Sequence, residues 1–222
     1  MIKKEKNKKQ TWPTKMAMEQ VYNLNLWGNN NTVFYSGDGS HNPEIVNPYI
    51  EVVTSFLKSF KNSLIVCDLG CGDFNIGKQL VEYTKSYIAV DIVPSLITYN
   101  KETFKAENLE FNCLDIAVDN LPSGDCVLIR QVLQHLSNAE VKNVASKLSN
   151  FKYVILTEHL PSSNFEPNKD IISGQGIRLK KQSGVDLLVP PFNFRVKAEK
   201  QLLSIPLKNN KGIIATSLYE VF

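Results

Sequence analysis

The sequence predicts an α/β fold in which a doubly wound, mostly parallel sheet ends in an antiparallel β-hairpin. Between residues 64 and 160, short apolar runs alternate with helix-like segments, as in a parallel sheet covered on both faces. The first run leads into a glycine-rich turn, LGCGDFNIG (69–77), of the kind that brings backbone close to a ligand. Near the end of the chain, two strand-like runs flank the turn NNKG (209–212), which indicates a hairpin.

Five apolar runs are predicted as the parallel strands: residues 64–68, 87–91, 109–113, 125–130 and 153–159. Helices are predicted at residues 74–85, from Pro94 to about residue 106, and through Leu148 after the candidate N-caps Ser137 and Asn138. The final hairpin is predicted from residues 201–207 and 213–222. Because the carboxyl ends of parallel strands share one edge of the sheet, we expect a ligand at that edge.

We expect three segments along the chain. Residues 1–15 hold six lysines and one glutamate and are predicted to be a basic, disordered tail. Residues 16–60 are predicted to form an N-terminal lid of helix and loop, with residues 45–60 helical and 27–43 a loop. Residues 61–222 form the main domain, in which the proline- and glycine-rich stretch 160–198 is predicted to be an irregular cap.

Composition narrows the class of protein. The net charge of +3 comes from the tail, which carries +5, so the other residues together carry −2. We therefore expect no nucleic-acid partner. The four cysteines form no CxxC pair, which favours a reduced, cytoplasmic protein. With only three histidines and no clustered ligands, no metal site is predicted. No apolar run is long enough to span a membrane.

The glycine-rich turn fits two common nucleotide sites poorly. A phosphate-binding loop needs a serine or threonine after its lysine, but Lys78 is followed by Gln79. A dinucleotide fingerprint that starts at Gly70 needs its third glycine at residue 75, which is asparagine. A nicotinamide oxidoreductase is therefore disfavoured.

Three carboxylates at successive strand ends suggest a nucleoside without a pyrophosphate. Asp91 ends the second strand about 20 residues after the glycines, where an acid can accept hydrogen bonds from both ribose hydroxyls. Asp115 follows the third strand, on the side expected for adenine. Asp68 ends the first strand, where it suits a zwitterionic amino-acid tail better than a pyrophosphate, or alternatively caps the turn. Together the three acids describe S-adenosylmethionine.

Four segments resemble successive motifs of the class I S-adenosylmethionine-dependent methyltransferases: VCDLGCGDF (66–74), YIAVDIV (87–93), FNCLDIA (111–117) and DCVLIRQVLQHLS (125–137). A bacterial subfamily of uncharacterised methyltransferases is also similar in the early WGNNN…SGDGS loop (27–40) and the late PPF (190–192), although Asn75 and Ile76 depart from its pattern. The resemblance implies a Rossmann-like, seven-stranded sheet and S-adenosylmethionine as cofactor. It places the cofactor contacts at Asp68, Gly70, Cys71, Gly72, Asp91, Ile92, Asp115, Ile116 and Arg130.

Methyl transfer by this family is an in-line displacement, which depends on alignment more than on acid–base help. An oxygen nucleophile would still need a base. His135, Glu158 and His159 follow or end strands four and five and are the candidates, with a core role as the alternative for His135. Trp27 and Arg178 are candidate acceptor contacts.

Missing motifs narrow the acceptor. Strand four runs into LIRQVLQ, without the Asp/Asn-Pro-Pro-aromatic motif of nucleic-acid amino-methyltransferases or the Pro-Cys of cytosine-C5 enzymes. No set of acids for a catalytic magnesium follows strands four and five. We expect transfer to oxygen or nitrogen of a small molecule; the alternative is a non-catalytic scaffold that keeps the fold for binding. The sequence specifies neither the acceptor's identity nor an oligomeric state.

Overall fold

The structure is a computed structural model that describes residues 12–222. Its helices are α1 (Thr14–Asn23), α2 (Asp38–His41), α3 (Pro43–Lys58), α4 (Pro94–Thr103) and α5 (Asn138–Leu148). Its strands are β1 (Ile65–Leu69), β2 (Ser86–Asp91), β3 (Leu109–Cys113), β4 (Cys126–Arg130), β5 (Tyr153–Leu160), β6 (Ala198–Pro206) and β7 (Ile213–Glu220). No helix within residues 12–222 is long and apolar enough to cross a membrane.

The strands form one seven-stranded sheet in the order β3-β2-β1-β4-β5-β7-β6. Strands β1 to β5 are parallel, and β7 runs antiparallel to both β5 and β6. The predicted fold class is therefore confirmed. The order reverses between β1 and β4, and such a switch point opens a crevice at the carboxyl ends of the strands.

Apolar clusters cover both faces of the sheet. On one face, Val53 and Leu57 of α3 pack with Val66 and Leu128 of the sheet. On the other face, α5 packs its buried side chains, among them Val144, against the sheet. The apolar strands thus find a partner on each side, which explains why they lack the alternation of a half-exposed sheet.

The prediction of a helix at residues 74–85 is wrong. Two 3₁₀ turns, Gly77–Gln79 and Val81–Tyr83, replace it. Phe74 adopts a positive φ of 62°, and its ring turns into a buried aromatic cluster with Phe104 and Phe111. A Cβ at Gly77 would collide with that ring. The buried ring therefore holds the chain in tight turns where an α-helix was expected.

Both ends of the predicted lid differ in detail from the expectation. Helix α1 begins at Thr14, inside the predicted tail, while residues 1–11 lie outside the described residues. The predicted loop 27–43 contains the short helix α2, and α3 begins at Pro43 with Asn42 as its N-cap. The stretch between β5 and β6 contains a single 3₁₀ turn, Arg178–Lys181, and is otherwise irregular.

Candidate active site

A cavity of about 380 Å³ lies over the carboxyl ends of β1, β2 and β4. Ten of the residues singled out from the sequence line it: Trp27, Gly70, Cys71, Gly72, Asp91, Ile92, Asp115, Ile116, Arg130 and His135. Its size is in the usual range for small-molecule sites. The cavity therefore brings the glycine turn, two of the predicted acids and the lid together.

The turn after β1 is folded back against β2. Gly70 and Gly72 have φ values of 86° and 56°, which favour glycine. The amides of Gly70 and Cys71 both donate to the carbonyl oxygen of Val90, at 2.8 and 2.9 Å. A Cβ at Gly70 would overlap the Val132 side chain. The absent side chains thus let the turn form the floor of the cavity.

Asp91 ends β2 as a buried carboxylate beside this turn. Its Oδ2 accepts from the Gly72 amide and its Oδ1 from the Val93 amide, each at 3.1 Å. Burial raises the pKa of Asp91, while the two backbone donors oppose that rise. Since a carboxylate oxygen has more than one lone pair, both oxygens can also accept hydroxyl donors from the cavity.

The far end of the cavity suits a flat base. Asp115 Oδ1 accepts from the Ala117 amide at 2.9 Å and thereby shapes the loop after β3. Ile92 and Ile116 follow the two acids in the chain and line the same cavity. Two aliphatic side chains beside polar backbone and a carboxylate provide both apolar contact and hydrogen-bonding groups for an aromatic ring.

The early loop is fixed to the glycine turn through Asp73. The Asp73 Oδ2 atom accepts from the Ser36 amide at 2.8 Å and lies 2.6 Å from Nε2 of His41. The Ser36 hydroxyl accepts in return from the Asp73 amide at 2.9 Å and lies 3.0 Å from the Tyr22 hydroxyl. The lid therefore contacts the turn directly; the sequence indicated this loop but not these partners.

Arg130, at the end of β4, is a buried cation in the cavity wall. Its Nη2 donates to the Gly39 carbonyl, and the guanidinium lies 4.8 Å from the centre of the Tyr49 ring. Within residues 12–222, its Nε has no hydrogen-bond partner and no carboxylate forms an ion pair with it. A buried cation without a carboxylate partner can bind an anionic group of a ligand.

Comparisons with known proteins agree with this geometry. Residues 67–153 match the family model of a methyltransferase domain. The fold resembles the N-methyltransferase NodS of Bradyrhizobium japonicum in complex with S-adenosyl-L-homocysteine (TM-score 0.61, 11% identity, 82% of this chain and 90% of that one). It also resembles magnesium protoporphyrin IX methyltransferase of Synechocystis (TM-score 0.59, 13% identity, 94% and 100%). This chain therefore has the fold of methyltransferases that bind S-adenosylmethionine or its product.

Two curated methyltransferases share shorter stretches of sequence with this chain. An uncharacterized RNA methyltransferase of Chlamydia pneumoniae is 27% identical over 147 residues, 62% of this chain and 35% of the relative. A malonyl-acyl carrier protein O-methyltransferase of Acetivibrio thermocellus is 38% identical over 58 residues, 25% of this chain and 20% of the relative. This chain thus spans about a third of the first relative and a fifth of the second.

Four of the predicted site residues do not line the cavity: Asp68, Glu158, His159 and Arg178. Asp68 is buried and accepts from the Tyr87 hydroxyl at 2.8 Å. Arg178 is 1% exposed, and its guanidinium donates to the carbonyls of Leu133 and Leu136 at 2.9 and 2.8 Å. It therefore holds the loop after β4. Glu158 is buried, and burial raises its pKa to about 8.

His135 lies in the cavity wall, but both of its ring nitrogens have partners. Nδ1 lies 3.1 Å from the Gly174 carbonyl, and Nε2 lies 3.3 Å from Nε2 of Gln134. These partners assign the proton to Nδ1 and the accepting lone pair to Nε2. Burial lowers the pKa of His135 to about 4. In this geometry the ring fixes the 174–177 segment over the cavity and has no free nitrogen for a substrate proton.

The sequence also missed residues that complete the cavity from distant parts of the chain. Met18 and Tyr22 of α1, residues 36–40, Gln131 and Gln175 all contribute to its walls. Of these residues only Gln131 lies in a strand-end motif, directly after β4. For the other residues, the only signal was the glycine-rich early loop SGDGS (36–40).

Proposed function

We propose that this methyltransferase transfers the methyl group of S-adenosylmethionine to an oxygen or nitrogen atom of a small molecule. The observation that carries the proposal is the pairing of Asp91 with Gly72 at 3.1 Å in one cavity. That pairing places a buried carboxylate beside the glycine turn, in a cavity that can admit a ligand. The carboxylate oxygens have lone pairs left for further hydrogen bonds. The arrangement suits a ribose next to an amino-acid tail.

The residues present fit the cofactor. Asp91 would accept from the ribose hydroxyls, while Asp115, Ile92 and Ile116 would hold the adenine. The unpartnered Nε of Arg130 would meet the methionyl carboxylate. When bound, the cofactor supplies a methyl group on a sulfonium. The lid and the 175–177 segment would exclude water and align the acceptor, which is the main need of a direct displacement.

The shape and charge of the molecule favour a small acceptor over RNA. The cavity is covered from above by α1 and by Gln175 and Ile177. Outside residues 1–15, the chain carries a net charge of −2, whereas nucleic-acid binding depends on neutralising phosphates. The name of the Chlamydia relative supports RNA as a second candidate. Salt-sensitive binding of an RNA transcript would favour that candidate. The cytoplasmic location expected from the free thiols stays a prediction.

Thermal unfolding with added ligands tests the cofactor site. S-adenosylhomocysteine at a hundred times its dissociation constant should stabilise the fold by about 2.7 kcal/mol, which raises Tm by roughly 5–10 °C for a chain of this size. NAD should have no effect. Asp91→Ala should abolish the rise because it removes the ribose acceptor. Glu102→Ala, at an exposed carboxylate on α4, should retain it.

The outcomes separate the proposal from its alternative. If neither S-adenosylmethionine nor S-adenosylhomocysteine raises the Tm of the wild-type protein, the proposal is wrong. If the rise is present but no methyl group is transferred to any of a broad set of alcohols, phenols and amines, the non-catalytic scaffold is favoured.

A further inference from the structure

A second cavity, of about 370 Å³, lies beside the first. It is formed by the start of α3, the end of β5 and the turn between β6 and β7. Asp38, Gly39 and Gln131 line both cavities. We infer that the second cavity receives the methyl acceptor, and that this acceptor is an uncharged molecule whose hydroxyl group meets His159. The inference rests on the proposed function, since it takes the first cavity as the cofactor site.

The two cavities meet at Gly39 and Gln131. The side-chain oxygen of Gln131 lies so close to Gly39 that a Cβ on that glycine would collide with it. Gln131 has a φ of 57°, an unusual value for a residue with a side chain, and such values concentrate at functional sites. A molecule in the second cavity therefore lies next to the cofactor cavity, at the shared residues Gly39 and Gln131.

The charges of the second cavity balance. Asp38 and Glu44 contribute two carboxylates, and Lys208 and Lys211 contribute two ammonium groups. The Glu44 carboxylate and the Lys208 ammonium form an ion pair at 3.0 Å. The remaining lining is largely aliphatic: Ile45, Ile205, Pro206, Leu207 and Ile214. Neither an anion nor a cation would find a net opposite charge here, so the cavity favours an uncharged ligand with an apolar body.

Among the residues that the structure describes, one ring nitrogen of His159 has no hydrogen-bond partner. Its Nε2 lies 2.6 Å from the Lys211 carbonyl oxygen and therefore carries a proton to donate. The ring edge with Nε2 and Cδ2 packs on Gly212, where a Cβ would lie 3.0 and 3.2 Å from those atoms. Burial lowers the pKa of His159, so the ring is neutral near pH 7. Nδ1, on the opposite edge, has no hydrogen-bond partner within residues 12–222 and thus keeps a lone pair, and His159 lines the second cavity.

A free imidazole nitrogen fits a hydroxyl acceptor, because an oxygen nucleophile needs a base. The hydroxyl oxygen uses a lone pair to bond the methyl carbon while the carbon–sulfur bond breaks and its electrons stay on sulfur. The hydroxyl proton moves to Nδ1 of His159 and then to water. The products are a methyl ether and the neutral thioether S-adenosylhomocysteine, so charge and atoms balance.

Three probes that share one ring and differ in charge test the inference. Cyclohexanol, cyclohexylamine and cyclohexanecarboxylate are titrated into the protein saturated with S-adenosylhomocysteine, and binding is followed by NMR saturation transfer. Cyclohexanol should bind at least several-fold more tightly than the two charged probes. Ile205→Trp, which fills the second cavity, should weaken the binding of cyclohexanol by tenfold or more. Ile172→Trp is the matched control, since Ile172 is 69% exposed and lines neither cavity.

A second variant tests His159 without depending on how Ile205→Trp folds. In His159→Gln, the amide can still donate towards the Lys211 carbonyl, but the Nδ1 acceptor is lost. We expect cyclohexanol to bind about fivefold more weakly, the effect of one hydrogen bond, with unchanged affinity for S-adenosylhomocysteine. Equal binding of the three probes, or no effect of either variant, would overturn the inference. Failure of S-adenosylhomocysteine to bind would instead contradict the proposed function.

Discussion

Asp68 and Asp91 end neighbouring strands, yet only Asp91 opens onto the cavity. Asp91 is held by backbone amides that leave lone pairs for a ligand. Asp68 is buried beneath, and its one hydrogen-bond donor among the described residues is the Tyr87 hydroxyl. Burial raises the pKa of Asp68 to about 7. The two acids therefore differ in role: one is available to a ligand, and the other is a buried group whose ionisation the fold disfavours.

The raised pKa of Asp68 predicts a dependence of stability on pH. From its usual value of 3.8 up to about 7, the unfolded chain loses this proton while the folded chain keeps it. Stability therefore falls as pH rises through that window and is constant above it, with a total loss on the order of 4 kcal/mol at most. Asp68→Asn should remove this part of the decline. Urea unfolding between pH 4 and 8 measures it.

Glu102→Gln serves as the control for this experiment, because Glu102 is exposed and its replacement should leave the wild-type pH dependence intact. Parallel curves for Asp68→Asn and the wild type would show that Asp68 ionises freely in the folded protein.

At the scale of single elements, α5 shows how the chain fixes the loop after β4. Ser137 and Glu140 form a capping box at the start of the helix. The Glu140 carboxylate also accepts from the hydroxyls of Thr14 and Ser173. The start of α5 thus joins α1 to the irregular cap (residues 160–198). Both α1 and this cap contribute residues that cover the cofactor cavity.

Loss of the Ser137 N-cap of α5 should destabilise the protein. Ser137→Ala removes the hydroxyl that accepts from the Glu140 amide, and such a loss costs about 1 kcal/mol. Ser146→Ala, at an exposed position inside the same helix, should be neutral or slightly stabilising because alanine is the better helix former. Chemical denaturation of the two variants measures the difference. Equal stabilities would mean that the cap contributes nothing.

The sequence predicted the strands well because each parallel strand is a short apolar run with a clear end. It failed at residues 74–85, since apolar spacing does not reveal that Phe74 turns its backbone to a positive φ. For the site, residues beside strand ends were predictable because topology alone places them at one edge. Glu158 and His159 were expected in the same cleft, but β5 ends further along the sheet, next to the second cavity.

At the scale of the whole molecule, the cofactor cavity is assembled from three separate parts of the chain. The sheet supplies its floor, while α1 with the early loop and the 174–177 segment supply its cover. Gln175 donates to the Leu26 carbonyl at 3.0 Å and joins the two parts of that cover. Such covering residues cannot be found from local motifs, because they meet only after the chain has folded.

Binding of the cofactor product should therefore slow motion in the cover. If the cover must open before ligand leaves, S-adenosylhomocysteine at a hundred times its dissociation constant should slow amide hydrogen exchange there by up to about 100-fold. The affected amides would lie in α1, residues 36–40 and residues 174–177. Exchange in β6, at the far edge of the sheet, should stay unchanged and serves as the internal reference. Equal slowing everywhere would indicate global stabilisation without a moving cover.

The hydrogen bonds between Asp73 and the early loop also restrict how this protein can vary through evolution. Ser36 and His41 lie more than thirty residues from Asp73, yet a single carboxylate serves both. A change at Asp73 removes the acceptor of both the Ser36 amide and His41, so we expect these positions to change together across related sequences. A chimera that takes its first sixty residues from one relative and the rest from another should function only where these three positions are inherited as a set.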